Sequence, residues 1–483
     1  MINKQIKTIV ILLVTVAVLV GAFFAVKPLL EEETKQDLEF DADGDRLGTS
    51  DRPFIYDVIA HDDVESIFIK NDVDSYKFNM DKTAGNLILE GGEDLVCDAE
   101  KLSYLYVCTC NMLAMAKVEN PSEDLSVYGL EKGKDGKYFE VKTTDGETYT
   151  VYIGDVLPTG AAYYCKYENK PHIYVMSNLM ESTVLSDRTA YISPLLCAPV
   201  PENDYYSIEN LRIVKNGELF VEFQKESEEH RDESAVASSH RMTYPAAYNP
   251  TTELDGILNL FVNFQGSRVV EVGLNEDNVE KYGLANPSAE IIMTYSGEER
   301  RVIFGAKTQD GLSYYAYNIS HDTIIEVPTE TVYFLDWDLI RFVSNSIFQM
   351  KIDSIDTLSL KAKGVDKTYK LTGEGKDLVV CDLADNKVID TYSFRQFYID
   401  VLMTSIEDYA DAPSLLSEYA RLTVNSRSGR TYDFVFYDLT TRRCYFTLNG
   451  VGEFCVNRDN VDKMINNIGK IIRGEAFKSE VLN

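Results

Sequence analysis

A short phrase with Tyr-Gly-Leu at its centre occurs twice, and it marks an internal repeat that determines how the chain divides. "DLSVYGLEKG" begins at Asp124 and "NVEKYGLANP" begins at Asn278. Each phrase precedes a predicted strand, a glycine turn and a second strand with another glycine eight residues after the turn. A chance match would not extend through the flanks. The motif residues are Tyr128, Gly129, Leu130, Gly146 and Gly154, then Tyr282, Gly283, Leu284, Gly297 and Gly305.

The same template finds a third copy further along the chain. "YARLTVNSRSGRTYDFVFYD" places Gly429 at the turn, and "EYARL" stands where the other copies have Tyr-Gly-Leu. The upstream halves agree as well. "VESIFIKND", "IENLRIVKNG" and "IDTLSLKAKG" alternate apolar and polar residues, which predicts half-buried strands with Ile67, Leu211 and Leu358 at equivalent positions.

Each copy also contains apolar residues at the spacing of an amphipathic helix. Thr252 is the predicted N-cap in the second copy and Ser393 in the third. A further helix is predicted to close each copy, in "SNLMESTVLS", "TETVYFLDWDLIRFV" and "NRDNVDKMINNIGKIIRG". Short, turn-linked strands favour antiparallel pairing. The sequence therefore predicts an α+β fold of three tandem domains, each an antiparallel sheet with helices packed on one face.

The predicted domain boundaries follow from composition. Repeat domain 1 spans 56–193, repeat domain 2 spans 206–347 and repeat domain 3 spans 348–475. A Pro-rich joint at 191–207 separates the first two domains. The joint between the second and third domains lacks Pro and Gly, which predicts rigid packing there. The second domain carries a polar, charged insertion at 225–253, predicted as a mobile loop.

The beginning of the chain predicts a membrane anchor. Nineteen residues from Thr8 to Val26 carry no charge, and a helix of that length spans roughly 28 Å, close to the hydrocarbon thickness of a bilayer. Two lysines precede this run and three glutamates follow it. The positive-inside rule therefore predicts a cytoplasmic tail at 1–7 and an extracytoplasmic bulk. A signal peptide cleaved near Ala22 is the alternative, but the apolar run exceeds the usual h-region.

An acidic segment at 27–55 is predicted as a stalk between the membrane and the first domain. Within it, "DADGDRLGTSD" at 41–51 has alternating acids like the start of a calcium loop. It lacks the EF-hand register and has no glutamate at the twelfth position. A disordered acidic linker is therefore the favoured interpretation.

Charge and motif content limit the function classes. The formal net charge of −31 repels polyanions, so nucleic acid is excluded as a partner. The sequence holds no nucleophile elbow, zincin, Walker or dinucleotide-binding motif. No catalytic, metal-binding or cofactor-binding residue is predicted, and no cofactor. The 31 tyrosines suit strands, although aromatic ridges also bind glycans or peptides.

The cysteines and histidines show no spacing typical of a metal site. The eight cysteines form no pair of CxxC motifs, which argues against a zinc site. Cys444 and Cys455 flank a predicted hairpin as candidate cross-strand neighbours, and their pairing stays open. His230 and His240 share the insertion, where a solvated loop is favoured over a metal tract.

The repeated segments resemble a bacterial family called domain of unknown function 4340. The residues that carry the resemblance are the anchor and "NPSEDLSVYGLE", "TDGETYTVYIGD" and "GAAYYCKYENKPHIYVMS". The resemblance implies a membrane-anchored accessory component, of which some are associated with ABC-type transport systems. It defines no catalytic residues.

Two hypotheses about function remain at this point. The first is a non-enzymatic, membrane-anchored extracytoplasmic accessory or scaffold protein, with an ABC-type transport system as the implied context. Its partners would be the cell membrane, through one helix, and another envelope or transporter protein. The second is a ligand-binding or sensing ectodomain for cell-wall glycan or peptide, with a tyrosine-lined pocket at the 191–207 joint.

Overall fold

The computed structural model describes residues 39–201, 204–234, 239–414, 417–475 and 477–478. The predicted anchor, Thr8–Val26, lies outside these residues. Among the described residues, no helix is both long enough and apolar enough to span a membrane. The chain divides into two compact units, of which unit 1 ends at Ile192 and unit 2 begins at Ser193.

Three antiparallel sheets form the described chain, as the repeat predicted. Sheet 1, in unit 1, contains β1 (Val64–Lys70), β2 (Ser75–Asp81), β3 (Asn86–Leu89), β4 (Ala116–Lys117), β5 (Lys137–Thr143), β6 (Thr148–Val156), β7 (Ala162–Tyr167) and β8 (Tyr174–Ser177). Sheet 2, in unit 2, contains β9 (Ile208–Lys215), β10 (Glu218–Lys225), β11 (His240–Tyr244), β12 (Arg268–Val272), β13 (Ala289–Tyr295), β14 (Glu298–Lys307), β15 (Ser313–Asn318) and β16 (Thr323–Pro328). Sheet 3, also in unit 2, contains β17 (Ile355–Ala362), β18 (Val365–Thr372), β19 (Val379–Asp382), β20 (Val388–Ile389), β21 (Ile406–Tyr409), β22 (Glu418–Ser426), β23 (Thr431–Asp438), β24 (Arg443–Leu448) and β25 (Val451–Asn457).

The strand order is the same in all three sheets apart from one additional edge strand, β20, in sheet 3, which establishes the repeat at the level of topology. The orders are β3-β2-β1-β5-β6-β7-β8-β4, β11-β10-β9-β13-β14-β15-β16-β12, and β20-β19-β18-β17-β22-β23-β24-β25-β21. In each sheet the first strand of the repeat lies inside, between its hairpin partner and the strand that begins the second half. The short strand that follows the long helix returns to the far edge. Ile67, Leu211 and Leu358 are fully buried on the inner strands.

A short backbone ladder begins each repeat earlier than the sequence indicated. The amide of Ile55 donates to the Met112 carbonyl at 3.0 Å, and in the second repeat Leu196 donates to Phe264 at 2.8 Å. The third repeat begins in the same way. The proline-rich segment at 194–200 is therefore part of the second repeat, because its amides and carbonyls are used within unit 2.

Seven α-helices occur within the described residues, one more than the six predicted. They are α1 (Ala99–Cys110), α2 (Glu228–Glu233), α3 (Leu254–Leu260), α4 (Glu276–Lys281), α5 (Leu339–Phe342), α6 (Thr391–Leu402) and α7 (Arg458–Arg473). Thr252 is not an N-cap, since α3 begins without a side-chain cap. Ser393 is also not the cap of α6, because Asp390 accepts the Ser393 amide at 2.9 Å and begins the helix three residues earlier.

The predicted closing helix forms fully only in the third repeat, as α7. In the first repeat the same position holds a 3-10 turn, Asn178–Ser182. The hydroxyls of Ser182 and Thr183 donate to the Leu179 carbonyl at 3.2 and 2.9 Å. Such local hydrogen bonds compete with helix propagation. The closing-helix prediction was therefore wrong for the first repeat, and the second contains only the short α5.

The acidic segment at 41–51 is ordered, against our expectation of a disordered linker. The Lys117 ammonium lies 2.6 Å from an Asp41 oxygen, 3.0 Å from Asp43 and 2.6 Å from Asp45. Asp45 is 2 % exposed and also receives a hydrogen bond of 2.9 Å from the Tyr174 hydroxyl. We call Asp41, Asp43, Asp45 and Lys117 the acidic clasp. Its ammonium lies among the alternating carboxylates that had suggested a calcium loop.

All eight cysteines are free thiols. Cys444 lies opposite Val456 in the β24–β25 pair, whereas Cys455 lies opposite Tyr445. Residues directly opposite each other share a face of the sheet, and neighbours along a strand alternate faces. The two thiols therefore lie on opposite faces, which excludes a bond between them in this register.

Candidate functional site

The Tyr-Gly-Leu phrase forms a turn that covers the sheet face opposite the main core. Gly129 has φ +66° at the end of a 3-10 turn, and Gly283 has φ +71°. Tyr128 and Leu130 form a small apolar cluster, separate from the main core, that also contains Ile173. The equivalent cluster in the second repeat contains Tyr282, Leu284 and Ile324.

The glycine that ends the second strand packs directly against this turn. A Cβ atom at Gly154 would lie 2.1 Å from the Tyr128 carbonyl oxygen, and one at Gly305 would lie 2.1 Å from that of Tyr282. Only a residue without Cβ permits this approach. The paired glycines of the motif therefore act together to dock the turn on the sheet. The other motif glycines, Gly146, Gly297 and Gly429, lie at hairpin turns.

The third repeat builds this region differently. "EYARL" lies inside strand β22, where Ala420 is fully buried. Our alignment of this segment with Tyr-Gly-Leu was therefore wrong, because a strand residue cannot occupy the turn. The motif positions thus have structural roles, and the candidate site lies elsewhere.

A cavity of about 320 Å³ lies in unit 2, where the insertion of the second repeat meets sheet 3. Its walls come from the insertion, from the connection between the second and third repeats, and from the β22–β23 hairpin. The lining includes Glu226, His230, Arg231, Glu233, His240, Arg241, Met242, Tyr248, Thr252, Asp255, Phe348, Met350 and Arg430. The cavity is of a size that accepts a small ligand or a few side chains.

The insertion is structured over most of its length, so the mobile-loop prediction was wrong. It contains α2, whose N-terminus is capped by the Ser227 hydroxyl, and strand β11, which pairs with β10. The first repeat has only a short connection at this point, between Leu89 and Ala99. The cavity therefore depends on residues that the second repeat has added to the shared unit.

A partly buried ion pair joins the insertion to the third repeat. Both terminal nitrogens of Arg430 donate to the Glu226 carboxylate at 2.7 Å. Burial tends to raise the pKa of Glu226, but the hydrogen bonds and charge of Arg430 outweigh it and hold the pKa below its usual range. The fork geometry makes this one of the stronger kinds of polar contact.

A second contact closes the same boundary. The Glu233 carboxylate accepts the Ser428 amide at 3.2 Å and the Ser428 hydroxyl at 2.9 Å. Ser428 belongs to the hairpin turn that contains Gly429. The repeat glycine turn of sheet 3 is therefore the surface on which the insertion rests.

Two histidines lie at this cavity in different states. The Nε2 atom of His240 is 2.7 Å from the Ile208 carbonyl oxygen and its Nδ1 atom is 2.9 Å from Ser239 Oγ, which donates to Asp255. Burial lowers the pKa of His240. Because a carbonyl only accepts, Nε2 carries the proton and is held by the backbone.

His230 is held through one ring nitrogen only. Its Nδ1 atom is 2.8 Å from Ser227 Oγ, and that oxygen also accepts the His230 amide. A carboxylate oxygen of Glu226 also lies 3.6 Å from Nδ1. Nε2 is buried and has no hydrogen-bond partner within the described residues. Such an unpaired buried group calls for an explanation.

A metal reading of these histidines gains no support from their surroundings. No cluster of three or more His, Cys, Asp or Glu side chains suited to a metal ion occurs in the part of the chain that the structure describes. His230 and His240 each use a ring nitrogen for a serine contact.

The sequence of this chain matches a known protein family. A family model described as domain of unknown function (DUF4340) matches residues 89–278 and again residues 265–419. Together the matches cover more than half of the chain. The chain belongs to the DUF4340 family. A search of curated proteins found no match.

The two DUF4340 matches support the internal repeat. They also show that the boundaries of the family unit differ from those of the structural repeat. The first match runs from β3 into α4, and the second from the segment before β12 into β22. Each therefore joins the second half of one structural repeat to the first half of the next. The cavity residues from the insertion fall inside the first DUF4340 match, whereas Arg430 lies beyond the second.

Sequence reasoning noticed His230 and His240 in this DUF4340 protein but did not identify the cavity. Glu226 and Arg430 are 204 positions apart, and no periodic pattern connects residues at that separation. A weak signal was available in the repeat itself. The insertion interrupts a unit that otherwise runs directly from strands to helix, so its charged residues lacked a place in the shared fold.

Proposed function

We propose that this chain is a non-enzymatic, membrane-anchored extracytoplasmic accessory protein that recognises its partner through the cavity of unit 2. The observation that carries the proposal is the origin of the cavity in an insertion, because added residues on a repeated scaffold are where a specific function is expected. The anchor predicted at Thr8–Val26 supplies the membrane attachment in this proposal.

The contacts of His240 support binding rather than chemistry at that side chain. A general base needs a ring nitrogen free to reach substrate, and the Nε2 atom of His240 is held by the Ile208 carbonyl. Ser239 is turned to Asp255 at 2.8 Å. The order Asp-Ser-His, with the histidine outermost and tied to the backbone, differs from the arrangement that activates a serine nucleophile.

The partner in this proposal is an envelope protein, with the membrane subunits of an ABC-type transport system as the specific expectation. The family resemblance described above supports the transport context. The fused second and third repeats support a scaffold role, since one compact unit holds both sheets.

In-cell photo-cross-linking tests the proposal. A benzophenone amino acid at Thr252, on the cavity wall, should give a cross-linked product with one envelope protein in intact cells. The matched control places the same group at Lys376, an exposed position of the third repeat that is not a cavity residue. Recovery of the Thr252 variant only as a free monomer, or equal products from both positions, would contradict the proposal.

A second candidate function, recognition of cell-wall glycan or peptide, is favoured by a second cleft in unit 2. This cleft of about 440 Å³ is lined by Phe220, Tyr244 and Tyr409, with Asp338 and Glu453 beside them. Tyr244 is 41 % exposed and Tyr409 is 38 % exposed. Exposed rings flanked by carboxylates suit sugar rings, which present apolar faces and hydroxyl edges. None of the described residues of the 191–207 joint, where the sequence predicted a tyrosine-lined pocket, lines this cleft.

Thermal stabilisation distinguishes this second candidate from the first. A soluble muropeptide should raise the melting temperature of the chain by a few degrees, and the Tyr409→Ala variant should lose that shift because its ring no longer packs on the sugar. Tyr104→Ala, at an exposed tyrosine of unit 1, is the control. Equal shifts in both variants, or no shift in the parent chain, would exclude the glycan reading.

A further inference from the structure

The acidic side chains that line the cavity are already occupied by contacts within the protein. Both Glu226 oxygens accept from Arg430. Glu233 accepts two hydrogen bonds from Ser428, and Asp255 accepts one from Ser239. The acceptors of the cavity are therefore engaged with the cavity walls.

The cavity lining also contains hydrogen-bond donors that are not used by contacts within the described residues. Arg231 is exposed and makes no side-chain hydrogen bond or ion pair within the described residues. Arg241 donates to the neutral Gln224 amide at 2.9 Å, and its nearest carboxylate oxygen, on Glu226, lies at 4.0 Å. The Nε2 atom of His230 is buried and has no hydrogen-bond partner within the described residues. The guanidinium of Arg231 and the N–H groups of Arg241 beyond its contacts with Gln224 and Glu226 are thus available to a ligand.

The remaining wall of the cavity is apolar. Met242 is fully buried, and Phe348 and Met350 are nearly so. Tyr248 is 3 % exposed, and its ring packs 5.3 Å from that of Phe454. A ligand that fills the cavity therefore buries an apolar body while its polar end meets donors.

We infer that the cavity takes an organic anion, a carboxylate attached to an apolar body, with the carboxylate at His230, Arg231 and Arg241. Guanidinium groups match the two oxygens of a carboxylate, and the unpartnered Nε2 atom of His230 adds a third donor when it carries the ring proton. A neutral amide at the same place would put its own N–H group next to the N–H groups of these side chains, where no hydrogen bond can form. The inference rests on the proposed binding function and specifies its ligand.

The charge of the whole chain makes this local surplus of donors necessary. With a formal net charge of −31, the long-range field opposes the approach of an anion. Binding must then come from short-range contacts with the donors that line the cavity.

The test is calorimetric titration of the full chain in detergent with matched acid and amide probes. Acetyl-leucine and acetyl-leucinamide share the apolar body and differ in the charged end. A pentapeptide ending in leucine, with a free or an amidated C-terminus, forms the second pair. Binding of acetyl-leucine would assign a small organic acid as sufficient, and binding of the free-acid peptide alone would assign a polypeptide C-terminus.

The variants connect the binding to the named residues. The double variant Arg231→Gln and Arg241→Gln should weaken acid binding at least tenfold, while Arg301→Gln, at an exposed ion pair on β14, should leave it unchanged. Unchanged melting temperatures show that the variants fold. Amides that bind as tightly as acids, or acids that fail to bind, overturn the inference. A persistent Thr252 cross-link in that case leaves the proposed function standing.

Discussion

Replacing Gly305 by alanine is expected to be among the most destabilising single-methyl additions in this chain. The new Cβ would lie 2.1 Å from the Tyr282 carbonyl oxygen, which is fixed because it accepts the Ala306 amide at 2.8 Å. The turn and the strand would have to separate, exposing the cluster around Tyr282. We expect a loss of at least about 3 kcal/mol in the free energy of unfolding of unit 2. Urea unfolding followed by circular dichroism measures it.

Gly256 provides a matched control in the same unit. It lies inside α3, and a Cβ there meets no atom within 4 Å. Gly256→Ala is expected to stabilise the unit by about 0.5 kcal/mol or more, because alanine loses less backbone entropy in a helix than glycine. Similar effects from the two substitutions would show that the docking of the turn on the strand is not tight.

Replacing Lys117 by methionine is expected to release the acidic clasp. Three carboxylates would then face one another without their shared ammonium, and Asp45 would be left largely buried. Removing one partner of such a group costs about 2 to 4 kcal/mol of the stability of unit 1, with partial compensation from Lys170. Limited proteolysis should cut the segment before Arg46 in the variant and leave the parent chain intact there.

Acid should have the same effect on the parent chain. Burial tends to raise the pKa of Asp45, but hydrogen bonds from Lys117, Lys170 and Tyr174 outweigh it and lower the pKa. A carboxyl with a lowered pKa stabilises the fold fully above about pH 4 and loses that contribution as the pH falls through its folded value. The Lys117→Met variant should therefore show a smaller loss of stability between neutral pH and pH 3.

An exposed ion pair serves as the control for the clasp. Lys142 pairs with Glu65 at 2.7 Å, and both side chains are about half exposed. Lys142→Met should change stability by less than about 0.5 kcal/mol, since surface pairs contribute little. Equal effects at Lys117 and Lys142 would mean that the clasp contributes no more than a surface contact.

The architecture could be predicted from the sequence because its signals are local and recur in each repeat. Alternation around Ile67, Leu211 and Leu358 identifies inner strands, and the same alternation recurs in each copy. Turn glycines such as Gly429 follow from the backbone geometry of hairpins. The three copies of the pattern can also be compared with one another, which is not possible for a single domain.

The features that sequence reasoning missed depend on choices between competing local signals. Asp390 rather than Ser393 caps α6, although both residue types are good caps, because the helix can begin at either. The turn at Asn178–Ser182 replaces a predicted helix, since hydroxyl groups near its end satisfy the carbonyls. Hydrophobic spacing alone does not decide these cases.

The candidate site was beyond reach of the sequence for a different reason. Its central contact joins Glu226 to Arg430, and each residue alone reads as a solvated charge. The insertion was interpreted as mobile because it is polar, whereas its polar groups are satisfied by one another and by sheet 3. A charged segment can be ordered when its partners are supplied from a distant part of the chain.

The acidic clasp also limits how far unit 1 can lie from the membrane. A stalk extending to residue 55 would let the first domain range far from the bilayer. With Asp41, Asp43 and Asp45 held by Lys117, the described structure of unit 1 starts at Glu39, thirteen residue steps after Val26. Fully extended, that stretch reaches at most about 45 Å. For a chain anchored as the sequence predicts, unit 1 is confined to a thin shell above the membrane, where the outer loops of membrane proteins are within its reach.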